Sequence, residues 1–236
     1  MSDPRKLARL AGLLYLAVAG FGGFAELYAR GTVHVPGDAA ATAANIAAHE
    51  TLFRLGLAAD IVMATSFLLL GLTLYRLLHS AHRRAATALL VLVAAGATAI
   101  LANLAFHAGA LLVATGPAYA NSGDTLVLLL LDLHRDGYVL GGILFGLWLL
   151  PMGYVAWRSP LFPTALGVLL VVAVVTWLAD PVLAFALPDL PGLVRDLVSV
   201  PTTVGELSLL LYLLIVGVRR VGVQPLDQVR VDSTSR

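Results

Sequence analysis

LVLLLLDLHRDGYVLGGILFGLWLL, from Leu126 to Leu150, decides how this chain is read. Two apolar runs flank DLHRDGY (Asp132 to Tyr138), which places Asp132, His134, Arg135 and Asp136 within five positions. Apolar runs of this kind recur along the whole chain. Of its 236 residues 59% are hydrophobic and 12% are charged, against roughly 25% charged in soluble domains. Mean hydropathy is +0.90. In such a background, apolar stretches of about 20 residues are membrane spans. Lipid offers no hydrogen bonds, so each span must satisfy its backbone internally and is a helix.

Six stretches qualify: 8–28, 54–78, 85–113, 136–157, 161–186 and 198–218. At a rise of about 1.5 Å per residue each is long enough for a bilayer core of about 30 Å. The expected fold is all-α: a polytopic membrane protein of six transmembrane helices with short amphipathic outer-side helices. Residues 1–220 form its one domain and 221–236 a polar cytoplasmic tail. The first stretch follows Arg5, Lys6 and Arg9 as a signal peptide would, but Glu26 and Arg30 stand where a cleavage site is needed. It is read as a span.

Basic residues give the orientation. Of the 15 Lys and Arg, 11 fall on the side that holds both termini, and the exceptions are Arg30, Arg54, Arg135 and Arg195. Of the 14 acids only Asp3, Asp227 and Asp232 share that side. The positive-inside rule then puts both termini in the cytoplasm. On the outer side, PGDAAATAANIAAHE (Pro36 to Glu50) reads as a helix N-capped by Asp38, too short and polar to span. SGDTLVLLLLDLH (Ser122 to His134) reads as a second outer helix running into span four. TALLVLVAAGATAILAN (87–103) also aligns without gaps on TALGVLLVVAVVTWLAD (164–180), either through duplicated hairpins or by chance in Leu/Ala/Val-rich sequence. Duplication puts Asn103 and Asp180 at equivalent depths.

Charges inside spans are costly, about 2.5–3.5 kcal/mol each at the bilayer centre. Glu26, Asp60, Asp180 and Glu206 are such charges, and counting helix turns places all four in the outer half, with Asn103, His107 and DLHRDGY. Every span then contributes polar groups to one layer. Glu26–Arg30 and Glu50–Arg54 are i,i+4 and read as structural ion pairs. Arg135 is three residues from Asp132 and next to Asp136. It holds one of them, and the other needs a partner on another helix. Gly142 and Gly146 form a GxxxG step, read as packing inside the bundle. Pro151 and Pro181 are expected kinks. His79 and His82 belong to a solvated basic loop.

These residues suggest chemistry only in outline. Asp60, Asn103, His107, Asp132, His134, Asp180 and Glu206 are the candidates for binding a small ligand or relaying protons in a net-acidic outer pocket, and a small cationic or amphipathic ligand fits that charge. His107 or His134 as a base, or with Asp60 or Asp180 as a zinc donor set, gives the alternative of a membrane-embedded hydrolase or transferase. No HExxH-type spacing accompanies them, so no metal or other cofactor is evident. A third alternative is a non-catalytic scaffold or stress protein. The absence of cysteine excludes disulfides and thiolate chemistry. There is no phosphate loop, nucleophile elbow or dinucleotide fingerprint. A net charge of +1 without a basic, aromatic-laced stripe offers nucleic acid no footprint. The expected partners are the lipid bilayer and a small molecule.

Four blocks carry a family likeness: ARLAGLLYLAVAGFGGFAELYARG, VPGDAAATAANIAAHETLFRLGLAADI, LLLDLHRDGYVLGGILFGLWLLPMGYVAWRS and GELSLLLYLLIVGV. Together they resemble the bacterial multispanning membrane protein family called domain of unknown function 4386, over roughly residues 7 to 219. The resemblance implies a bacterial cytoplasmic-membrane protein with no established activity. It also implies recurrent polar positions at Glu26, Arg30, Arg54, Asp60, Asp132, His134 and Glu206. Arg135-Asp136 stands where such sequences often carry Ser-Tyr, which puts in doubt a family-wide role for those two positions.

Overall fold

The computed structural model describes residues 3–119, 121–187 and 189–219, with the side chains of Arg195 and Asp196 left aside. The expected polar tail at 221–236 lies outside the described residues. The described chain is helical: α1 (Pro4–Val33), α2 (Ala39–Ala48), α3 (Glu50–Leu78), α4 (Arg83–Thr115), α5 (Asp124–Leu147), α6 (Leu149–Arg158), α7 (Thr164–Ala186) and α8 (Gly192–Ile215). Taking α5 and α6 together as Asp124–Arg158, six helices among the described residues are long and apolar enough to cross a membrane.

Local chemistry sets several helix ends. Asp3 accepts from the Arg5 backbone N–H at 3.0 Å, with Pro4 at the first helical position. Asp38 caps α2 by accepting from Ala41 N–H at 2.9 Å. DLHRDGY does not interrupt α5, which runs unbroken from Asp124. Its charges are paired sideways, so the backbone has no reason to leave the helix. The break falls at Trp148 instead. Pro151 lacks an N–H and its ring crowds the carbonyl four residues back, at Leu147, where α5 ends.

The spanning helices close a ring in the order α1, α3, α4, α5 with α6, α7, α8 and back to α1. Gly217 lies against Ala8 and the Arg5 carbonyl, so both ends of the described chain share one end of the bundle. α6 fills the ring at that end. Its Leu149 and Met152, with Trp148 at the break before it, are buried with Phe67, Leu70, Leu89 and Leu170. At the opposite end α2 lies across α4 and α5, over a second apolar cluster of Val33, Ile46, Phe53, Leu111, Val127 and Leu131. The middle layer between these two cores is polar and partly hollow. The aligned segments 87–103 and 164–180 lie in α4 and α7, and the equivalent Ile100 and Trp177 both face the hollow.

Outward faces carry Leu10, Leu13, Leu16 on α1 and Val168, Val172, Val175 on α7, all exposed. Lipid contact suits such a surface, where water would not.

Candidate functional site

Two polar systems occupy the middle layer. The first is centred on Arg30. Residues Phe24–Arg30 of α1 form a π-helical stretch, whose extra residue per turn shifts the downstream register. Ala25, Ala29 and Arg30 consequently face inward, while Leu27 faces out. Arg30 Nε donates to Glu26 Oε2 at 2.7 Å. Its Nη1 donates to Asp60 Oδ2, and Nη2 to Asp60 Oδ1 at 3.4 Å. Asp60 is fully buried and also accepts from the Tyr138 hydroxyl at 3.3 Å. The guanidinium lies 5.5 Å from the Tyr138 ring centroid, a cation–π contact.

Both histidines join this system. A nitrogen facing a carbonyl oxygen must carry the hydrogen. His107 therefore donates from Nε2 to Phe53 O at 3.1 Å, which leaves Nδ1 to accept from Arg30 Nη1 at 3.3 Å. His134 donates from Nδ1 to Asn103 O at 3.1 Å, and Asn103 Nδ2 returns a bond to His134 O at 2.7 Å. His134 Nε2 is buried and has no hydrogen-bond partner among the described residues. The Asn103 carboxamide rests on Gly137, the one residue of DLHRDGY with no side chain in its way. Gly137→Ala puts a methyl into the Asn103 Oδ1 position. A loss of about 1–3 kcal/mol is expected from such overpacking, read as a lower thermal midpoint in detergent. An unchanged midpoint counts against the Asn103–His134 clasp.

One donor atom each from Asp60, His107 and His134 lies within 4.8 Å of the others, a metal-like cluster. It does not fit a resident zinc. Arg30 brings a fixed positive charge onto two of the three donors, Asp60 and His107 Nδ1, and a dication would have to displace it or sit against it. Metal analysis of the purified protein is expected to find far less than one zinc per chain; stoichiometric zinc that His107→Ala removes contradicts this assignment.

The second system is centred on Glu206 in α8. Oε2 accepts from the Tyr15 hydroxyl at 2.7 Å and Oε1 from Trp177 Nε1 at 2.6 Å. Trp177 is seated by the glycine step of α5: a Cβ at Gly142 would lie 2.9 Å from its ring, and one at Gly146 would collide with it. Among the described residues Glu206 has only neutral donors, unlike Glu26 and Asp60, which Arg30 pairs.

A cavity of ≈ 280 Å³ joins the two systems. Tyr15, Trp177 and Glu206 line it together with Glu26, Asn103 and Tyr138, and Gly22, Met63 and Phe145 supply apolar wall. Tyr15 and Glu26 on α1 are separated by about 16 Å of helix, so the space is elongated along the bundle axis.

The remaining candidates sit apart. Asp132 Oδ1 is 3.3 Å from His34 Nε2 and 3.9 Å from Arg135, whose Nε lies 3.5 Å from Asp136. His34, just past α1, is thus the off-helix partner that DLHRDGY requires. Arg54 pairs with Glu50 at 2.6 Å on the surface. Asp180 is half-buried in α7 and outside the described lining of the cavity. Sequence reading passed over Tyr15, Trp177 and His34. The available signal was the type of Tyr15 and Trp177: aromatics with a polar tip, placed mid-span, find hydrogen-bond partners when buried.

A family model described as a domain of unknown function (DUF4386) matches residues 10–217. No curated protein and no solved structure matches the chain.

Proposed function

The chain belongs to the family described as a domain of unknown function (DUF4386), a description without chemistry, and from its central cavity we propose that it binds small amphipathic cations and exchanges them for a proton on Glu206. The observation that carries this reading is a carboxyl group in a largely apolar cavity whose described partners, Tyr15 and Trp177, are both neutral. A carboxyl so placed either holds a proton or holds a cation from outside. Its two oxygens offer about four acceptor sites. Tyr15 and Trp177 take two of them, which leaves room for an ammonium group. The ligand's apolar body then lies along Gly22, Met63 and Phe145. The exchange is R–NH3⁺ plus Glu206–COOH giving the bound ion pair plus a free H⁺.

The Arg30 system is read as the frame of this site. Asp60, His107, His134 and Asn103 are bonded to Arg30 or to one another, so they hold α1, α3, α4 and α5 in place around the cavity. His107 has both nitrogens engaged, which leaves it no role as a base. The basic residues support an orientation with both termini cytoplasmic in a bacterial inner membrane, placing the α2 end outside.

Adding n-octylammonium to the protein in weakly buffered detergent is expected to release one proton per amine bound, and n-octanol to release none. Amine binding no tighter than that of the alcohol removes the cation reading. Amine binding without proton release replaces exchange by simple capture.

A further inference from the structure

We infer that the cavity is loaded sideways from the bilayer, through a portal between α1 and α8 latched by the Tyr15–Glu206–Trp177 cluster, and that its ligand is therefore an amphiphile already dissolved in lipid. The inference rests on the Glu206 reading and adds the route and the ligand class.

The two helices touch closely at the termini end. A Cβ at Gly12 would lie 2.7 Å from Leu214 N and 3.0 Å from the Leu213 carbonyl carbon, so bare helix meets bare helix there. Further along they part. A groove of ≈ 250 Å³ opens at the level of Ala19 on α1 and Thr202, Thr203 and Leu207 on α8. The groove and the central cavity share Tyr15, Ala19, Trp177 and Glu206. The partition between lipid side and interior is thus a small residue plus three side chains held by two hydrogen bonds. The flank of the groove is apolar and exposed at Val204, Leu207 and Leu211.

Two further features favour this side. Pro201 lies inside α8 and Pro181 inside α7, each removing a backbone hydrogen bond near the groove. These helices bend there more readily than at any uninterrupted turn. The α2 end is less suited to a cation. A pocket of ≈ 110 Å³ there meets the cavity at Glu26, but Arg30 and Arg135 line it, so an ammonium arriving that way faces two guanidinium groups before any carboxylate left unpaired by arginine. An ammonium head entering by the groove meets Glu206 first. It takes the acceptor sites that Tyr15 and Trp177 leave free on Glu206, so the latch parts only while the ligand passes and closes again behind it.

The chain contains no cysteine, and Ala19 and Thr203 are both exposed, so Ala19→Cys/Thr203→Cys gives a unique pair across the groove for a short bis-maleimide. Tritiated n-octylammonium is the probe, with each single-cysteine variant capped by a monofunctional maleimide as control. Uptake by the linked protein is expected to slow at least tenfold, and amine loaded before linking to be released more slowly by a similar factor. Uptake and release at the control rates, with normal equilibrium binding, overturn the portal alone. If the unlinked protein takes up no amine at equilibrium, the cation reading falls and the portal with it.

Discussion

Arg30→Ala is expected to cost about 3–5 kcal/mol of stability, the range for breaking a buried ion pair from one side. Folded proteins have only about 5–15 kcal/mol in total, so this is a large share of the margin and both folded yield and thermal midpoint should fall. The cause lies in Asp60. Its carboxylate is fully buried, and Arg30 supplies two of its hydrogen bonds and its counter-charge. Glu26 also loses its partner, but its side chain is half exposed and water can take over. Arg30→Met combined with Asp60→Leu removes both charges, and substitution of a whole buried pair by apolar groups is often neutral. The double variant should therefore recover most of the loss. Folded yield and thermal midpoint in detergent read the effect. Arg30→Ala as stable as the parent, or a double variant no better than the single, contradicts the pairing.

Glu206→Gln should do the opposite: keep the fold and lose the ligand. Glutamine preserves shape, and its carbonyl still accepts one hydrogen bond, with the Tyr15 hydroxyl free to turn and accept from the amide. Little change in stability is expected. Binding of n-octylammonium loses a charge-assisted hydrogen bond of about 1.5–3 kcal/mol, which is about 10- to 100-fold in Kd. Binding of n-octanol should change little, since it never needed the charge. Competition binding with tritiated amine measures both. An equal loss for amine and alcohol points to a collapsed cavity, and no loss for either removes Glu206 from the site. Glu26→Gln is the comparison: its carboxylate already has Arg30 at 2.7 Å, so amine affinity should move far less.

Local pairs were legible because helix geometry alone makes them. Glu26–Arg30 and Glu50–Arg54 are i,i+4 neighbours and bond as such. Asp38 caps α2 as its type and position suggested. The glycine step at Gly142 and Gly146 does pack inside the bundle, and what it packs is Trp177. The division of the acids was not legible. Sequence places Asp60 and Glu206 at similar depth with similar surroundings. The structure gives Asp60 a guanidinium and Glu206 a phenol and an indole. That difference depends on the rotation of each helix about its axis. For Arg30 the rotation is set by a π-helical stretch with no clear mark in FAELYAR.

Composition and period thus determined by themselves that the chain is a bundle of apolar helices with a polar layer, because lipid leaves the backbone no alternative and charges there are too costly to be scattered. Only the tertiary structure decided which charges neutralise each other and which face a cavity. Such pairing is made across helices far apart in sequence: Arg30 with Asp60 and His107, Tyr15 with Glu206. Those meetings follow from how the ring closes, and no spacing along the chain encodes ring closure. DLHRDGY shows both halves. Its charges announced themselves in the sequence, yet three of the four, Asp132, Arg135 and Asp136, pair at the rim. The cavity instead takes Gly137 and Tyr138 from this stretch.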